Sequence, residues 1–197
     1  MEKAKSGKKI IILASASARR SSLLDAANIP FEKFVPEVSE ISDSHANPRK
    51  LVEANALIKA VAAAKQNRGR VVLGSDTVVA LDGEIYGKPR DIADAKRIIA
   101  NLAGRTHSVF TGVALVEISE SGEQRELVKS EESLVSFRKL DADGIDEYLG
   151  KVDVMDKAGA YAAQEFGSMI IEKIEGNFDN VMGLPCGLVR EMLGSFM

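Results

Sequence analysis

Tryptophan is absent from the 197 residues and aromatics make up only 5% of them, so the chain lacks the stacking side chains with which proteins grip single-stranded nucleic acid. One cysteine, Cys186, and two histidines exclude an internal disulfide and leave no Cys/His cluster with zinc spacing. No apolar run approaches the roughly 20 residues that span a bilayer. The run after the N-terminal lysines of "MEKAKSGKKIIILAS" extends only from Ile10 to Ala14 before serines and arginines interrupt it, too short for a secretory signal. A Gly-x-x-x-x-Gly-Lys phosphate loop and a Gly-x-Ser-x-Gly nucleophile elbow are both missing. There is no internal repeat and no low-complexity segment. The formal net charge of -3 supplies no global field for a polyanion, so an anion site must be built locally from a few placed Lys and Arg. The expectation is a cytoplasmic protein that contacts neither nucleic acid nor membrane.

What is present is enough apolar material for a sizeable core: 45% of residues are hydrophobic, and no linker or composition break divides the chain. Residues 1–9 read as a disordered tail and 10–197 as a single domain. A first strand at Ile10–Ile12 feeds a helix in "RRSSLLDAAN", stopped by Asn28 and Pro30. A short strand follows, ending near Pro36, and leaves Glu40 in a polar loop that runs to Asn47. Asn47 and Pro48 supply an N-cap and a first-turn proline, so a long helix is predicted from Pro48 to Gln66, closed by Gly69. "VVLGSDTVVALDG" reads as a strand buried on both faces. A helix capped by Asp91, two long neighbouring strands within 106–118 and 125–140, a helix from Asp141 to Leu149, a strand in "MIIEKIEG" and a helix after Pro185 complete a mixed-sheet α/β fold.

Several side chains sit where their chemistry is out of place. Arg19 and Arg20 occupy a helix start, where free N–H groups and the positive dipole end disfavour cations unless an anion is present. Ser15 and Ser17 add hydroxyl donors, and small Ala16 and Ala18 let a phosphate approach the backbone. Asp76 interrupts the apolar strand, and a buried carboxylate needs an ion, a donor or a metal. Lys59 flanks an alanine surface on the long helix over which its ammonium can reach inward. Lys88 is fixed between Gly87 and Pro89 in "YGKPRD". Cations at 19, 20, 59 and 88 with acids at 40 and 76 make a mixed-charge cleft, and a divalent metal (Mg²⁺ or Mn²⁺) held by Asp76 and Glu40 reconciles the acids with a phosphate ligand. His107 alternates within a strand and reads as structural, and Cys186 as a small buried apolar group.

Taken together, "LASASARRSSLL", "SDTVVALDGEIYGKPRD", "DKAGAYAAQ" and "NVMGLP" resemble the Maf (septum formation) family of nucleoside triphosphate pyrophosphatases, from about Ile10 to the C-terminus. The resemblance implies an ITPase-like fold with two lobes around a central cleft, commonly a homodimer. It implies metal-dependent hydrolysis of a nucleoside triphosphate to the monophosphate and pyrophosphate, with Asp76, Glu40, Lys59 and Lys88 at the reaction centre and Arg20 on phosphate. Arg19, Thr77 and Gln164 match the branch of the family that acts on dTTP and UTP rather than the one that acts on 7-methyl-GTP. Ala18 stands where the family usually has Pro, Ser39 where Asp usually precedes the Glu, and Ala162 and Glu165 where Gly is usual. A non-catalytic nucleotide sensor that regulates division is the competing expectation.

Overall fold

The computed structural model describes residues 10–196, so the expected disordered tail at 1–9 lies outside the described residues. Strand β1 (Ile11–Leu13) leads into helix α1 (Ala18–Ala26), which is followed by β2 (Phe31–Lys33) and the long helix α2 (Pro48–Gln66). Asn47 accepts from the Lys50 amide and Pro48 begins the helix, as the sequence signals predict. Then come β3 (Val72–Leu81), β4 (Glu84–Tyr86), α3 (Ile92–Leu102), β5 (Thr106–Ile118), β6 (Gln124–Phe137) and α4 (Ala142–Leu149). After a 3₁₀ turn at Ala158–Ala160, α5 (Gly167–Ile170), β7 (Ile171–Glu175), α6 (Phe178–Met182) and α7 (Cys186–Phe196) close the described chain.

Three of these depart from the sequence reading. The predicted strand in "MIIEKIEG" starts only at Ile171, because Gly167–Ile170 form a helical turn first. Strand β4 and helix α6 were not anticipated, each being too short to show a period. A local signal for β4 does exist: Asp82 and Gly83 have φ of 53° and 81°, and Leu81 pairs with Glu84, a two-residue hairpin of the Asp-Gly kind.

The strands form one mixed sheet in the order β2-β1-β3-β5-β6-β7, with β4 paired to β3. Strand β1 runs parallel to β2 and β3, whereas β3 with β5, β5 with β6 and β6 with β7 are antiparallel. On one edge of β3, β1 covers Val72 and Leu73 and β4 covers Val79 to Leu81. The stretch Gly74 to Val78 therefore has no strand beside it on that edge.

Apolar clusters flank this gap. Leu13, Leu73, Val113 and Leu115 pack with Leu24 of α1 and Val189 and Met192 of α7, while Ile12, Val72, Ala114 and Val116 meet the alanine face of α2 at Ala56, Ala60, Ala63 and Ala64. A further core joins Val79, Val109, Val135 and Phe137 with α3, α4 and Tyr161. The sheet thus carries two lobes with the gap between them.

Two glycines let α2 lie flat on the sheet. A Cβ at Gly74 would come within 2.2 Å of the Ala56 carbonyl oxygen, and one at Gly112 within 2.2 Å of the Val52 carbonyl oxygen. Gly112 pairs directly with Asp76, so the close approach is centred on the carboxylate. Gly74→Ala must push backbone away from backbone, and overpacking of this kind costs about 1–3 kcal/mol. Urea unfolding should show that loss, and stability equal to the parent would contradict the close approach.

Candidate active site

Alternation along β3 sends Gly74 and Asp76 toward α2 and Ser75 and Thr77 to the other face. Asp76 is 7% exposed, as its position in an apolar strand predicts. Lys59, on α2, extends over the alanines as expected and donates to Asp76 Oδ1 at 2.7 Å and to the Ser75 carbonyl at 3.4 Å. The same ammonium lies 3.1 Å from Glu40 Oε1. The two acids and Lys59 therefore meet at one point, at the open edge of β3.

The other face of the gap belongs to Arg20. Ser17 caps α1 and accepts from the Arg20 amide at 3.4 Å. The Arg20 guanidinium turns inward, donating to the Gly183 carbonyl at 2.9 Å, Ser15 Oγ at 3.3 Å and Thr77 Oγ1 at 3.2 Å. All three acceptors are neutral, and among the described residues no carboxylate lies within ion-pair distance of it. Burial pushes the guanidinium below its ordinary value, with the charge of Asp76 opposing that shift. A half-buried cation whose charge is not cancelled by contact is what an anionic ligand would complete. Arg19, in contrast, reaches across to Asp156, with Nη1 at 2.8 Å from Oδ2.

Thr77 lines the cleft, but its hydroxyl is already engaged. Thr111 Oγ1 donates to the Asn180 carbonyl at 2.9 Å, so across the 3.0 Å Thr77–Thr111 contact it is Thr77 that donates. Its oxygen then accepts from Arg20. Thr77 thus orients Arg20 within a chain that runs from the arginine to α6, instead of offering a free hydroxyl to a base.

The remaining expected residues line the same cleft. Lys88 is exposed, borders every branch of it, and has no hydrogen-bond or ion-pair partner among the described residues. Gln164 sits at the far rim, exposed, and its amide donates to Glu165 Oε1 at 3.2 Å. Ser15 Oγ accepts from Ser17 N at 3.2 Å and from Arg20, leaving its own proton unassigned. All ten residues singled out in the sequence are therefore gathered around the gap in β3.

Sequence reasoning missed Asn55, Asp156 and Lys157. Asp156 joins Arg19 to Lys157, whose Nζ is 2.8 Å from Asp156 Oδ1. Both lie within "DKAGAYAAQ", so the motif itself held that signal. Tyr161 of the same motif walls the cleft and hydrogen-bonds His107 Nε2 at 3.0 Å. The ring of His107 stacks edge-on to Phe137 and Tyr161, which agrees with its structural reading.

Among the described residues there is no group of three or more His, Cys, Asp or Glu that could hold a metal by itself. Asp76 and Glu40 are a two-carboxylate set, which suits an octahedral cation that keeps several waters and takes phosphate oxygens from its substrate. The donor chemistry at the gap therefore fits Mg²⁺ or Mn²⁺ arriving with a polyphosphate.

A family model described as Maf-like protein matches residues 10–196. The protein named dTTP/UTP pyrophosphatase from Bacillus cytotoxicus (strain NVH 391-98) is 42% identical over 185 residues, covering 93% of this chain and 94% of that one. That of Symbiobacterium thermophilum, with the same name, is 45% identical over 186 residues, covering 94% and 93%. Among solved structures, the Staphylococcus aureus Ham1 protein aligns over 96% of this chain and 100% of its own at a TM-score of 0.51 and 18% identity, which bears on the fold alone.

Burial holds His107 at a pKa of about 4, below its ordinary 6.5. The unfolded chain therefore takes up this proton first, and stability is lost as pH falls from about 6.5 towards 4, by about 3 kcal/mol in all. Urea unfolding at pH 7 and pH 4.5 should show a larger acid loss for the parent than for His107→Phe. Equal losses would contradict the assignment.

Proposed function

Because this chain belongs to the Maf family, we propose that it is a nucleoside triphosphate pyrophosphatase that hydrolyses dTTP and UTP to the monophosphate and pyrophosphate. The observation that carries the reading is the pairing, across one gap in β3, of a Lys59-bridged pair of carboxylates with an arginine whose charge no contact cancels. A sensor of nucleotides needs the arginine, but it has no use for two carboxylates that repel its ligand.

In this reading Arg20, the protons of Ser15 and Ser17, and Lys88 take the phosphate oxygens. Arg19 stands at the mouth, fixed by Asp156. A divalent cation held by Asp76 and Glu40 would draw charge from the phosphates and acidify water. Each Asp76 oxygen has one lone pair engaged, by Lys59 and by Asn55, and retains another for a water proton. Asp76 then accepts that proton as the water oxygen bonds to the α-phosphorus and the bond to the pyrophosphate oxygen breaks. Lys59 and Lys88 offset the negative charge that develops on the phosphates.

Gln164 can read a pyrimidine by offering a donor and an acceptor from one amide. Glu165 holds one of its two amide N–H groups, which leaves the other N–H and Oε1 for that role. We place the enzyme in the cytoplasm as a homodimer, on the resemblance and on the single unpaired cysteine. Among the described residues no helix is long and apolar enough to cross a membrane.

Incubation with Mg²⁺ and a nucleotide panel should release pyrophosphate, not orthophosphate, from dTTP and UTP. Asp76→Asn keeps the shape but removes the water-activating charge, so turnover should fall about 10²-fold or more. Orthophosphate as the product, or near-parental turnover in the variant, would overturn the reading.

Base selectivity is a separate expectation. The kcat/KM for dTTP and UTP should exceed that for 7-methyl-GTP by about 10²-fold or more, since a site that hydrogen-bonds one base edge rejects a base that cannot pair with it. Gln164→Glu removes the amide donor beside Glu165 and should erode the ratio. An unchanged ratio would remove Gln164 from the pocket.

A further inference from the structure

Helix α2 turns a second polar side chain towards the cleft. Asn55 is 3% exposed and lies one turn before Lys59, on the same face of the helix. Its Oδ1 accepts from the Ile41 amide at 2.8 Å and its Nδ2 donates to the Ile41 carbonyl at 3.1 Å. Engagement by a backbone donor and a backbone acceptor fixes which end of the amide is which, so the second N–H must find another acceptor. That acceptor is Asp76 Oδ2, at 3.2 Å. Ile41 directly follows Glu40, and Lys59 bridges Glu40 to Asp76. Asp76, Asn55, the Glu40–Ile41 backbone and Lys59 thus form a closed circuit.

We propose that Asn55 is a positioning residue that ties the segment carrying Glu40 to Asp76 and so sets the spacing of the two carboxylates. The inference rests on the reading of those two acids as the catalytic pair. The chain between Lys33 and Pro48 holds no strand or helix. Among the described residues the backbone of residues 35–42 makes no hydrogen bond other than the two to Asn55. Without them Glu40 is attached only by its bond to Lys59, with its side chain 46% exposed, and exposed ion pairs hold geometry weakly. A displacement of about 1 Å in a catalytic group is enough to slow chemistry by up to ~10²-fold.

Two substitutions separate the parts of the circuit. Asn55→Leu keeps size and helix propensity and removes all three bonds. Asn55→Asp keeps an oxygen for the Ile41 amide but places a like charge against Asp76. With Mg²⁺ and dTTP, Asn55→Leu should lower kcat about 10-fold or more with KM within about 3-fold, keep its melting temperature within a few degrees, and speed hydrogen exchange at the Ile41 amide. Asn55→Asp should lower kcat at least as far while that amide stays protected. Unchanged exchange in Asn55→Leu would overturn the tether, and fast exchange with unchanged kcat would overturn its role in positioning. Should Asn55→Leu unfold, Asn55→Asp decides by its kcat, where a parental value overturns the proposal. Asp76→Asn runs alongside: if it retains turnover, the active-site reading fails and this inference with it. If it is inactive while both Asn55 variants turn over normally, only the role of Asn55 fails.

Discussion

The contact between Asp76 and Lys59, at 2.7 Å, constrains nearly everything around it. A carboxylate inside an apolar strand is tolerated only with a partner at hand, and removal of one member of such a buried pair costs about 3–5 kcal/mol. Lys59 can be that partner only if α2 lies close on the sheet, and α2 lies close only because Gly74 and Gly112 carry no Cβ to meet its backbone. The alanine face of the helix follows from the same demand. Replacing such a pair by apolar side chains is often neutral or stabilising, so stability alone does not account for its presence in this core.

The gap in the pairing of β3 turns this contact into a site. Because pairing with β1 ends at Leu73 and pairing with β4 begins at Val79, the strand has an uncovered stretch with α2 against one face and Arg20 of α1 against the other. Asp76 reaches α2 on one face, while Thr77 orients Arg20 on the other. Acid and base are thereby brought near one another without neutralising each other by contact. The carbonyl of Gly183, at the end of α6, completes the seat of Arg20.

The far lobe closes the cleft with a single motif. Asp156 holds Arg19, Lys157 holds Asp156, and Tyr161 forms a wall backed by His107 and Phe137. At its rim, Glu165 engages the Gln164 amide, so this chain's departure from the usual glycine bears directly on the residue expected to read the base.

Much of this was legible in the chain alone, because it depends on local rules. The Asn47-Pro48 start of α2, the Asp91 cap of α3 and the long β5–β6 pair are each written in a few adjacent residues, and an ionisable group in an apolar run marked Asp76 as costly to bury. The family motifs added the remaining site residues in order. What tertiary structure alone decided is which partner each charge takes: Arg19 pairs with Asp156, Lys59 with both Glu40 and Asp76, and Asn55 with the backbone of Ile41. Asn55 gave no signal because an asparagine in a helix reads as a solvated polar residue until the register of α2 on the sheet places it against a strand. That register follows from long-range packing against Gly74 and Gly112, which no window of the sequence contains.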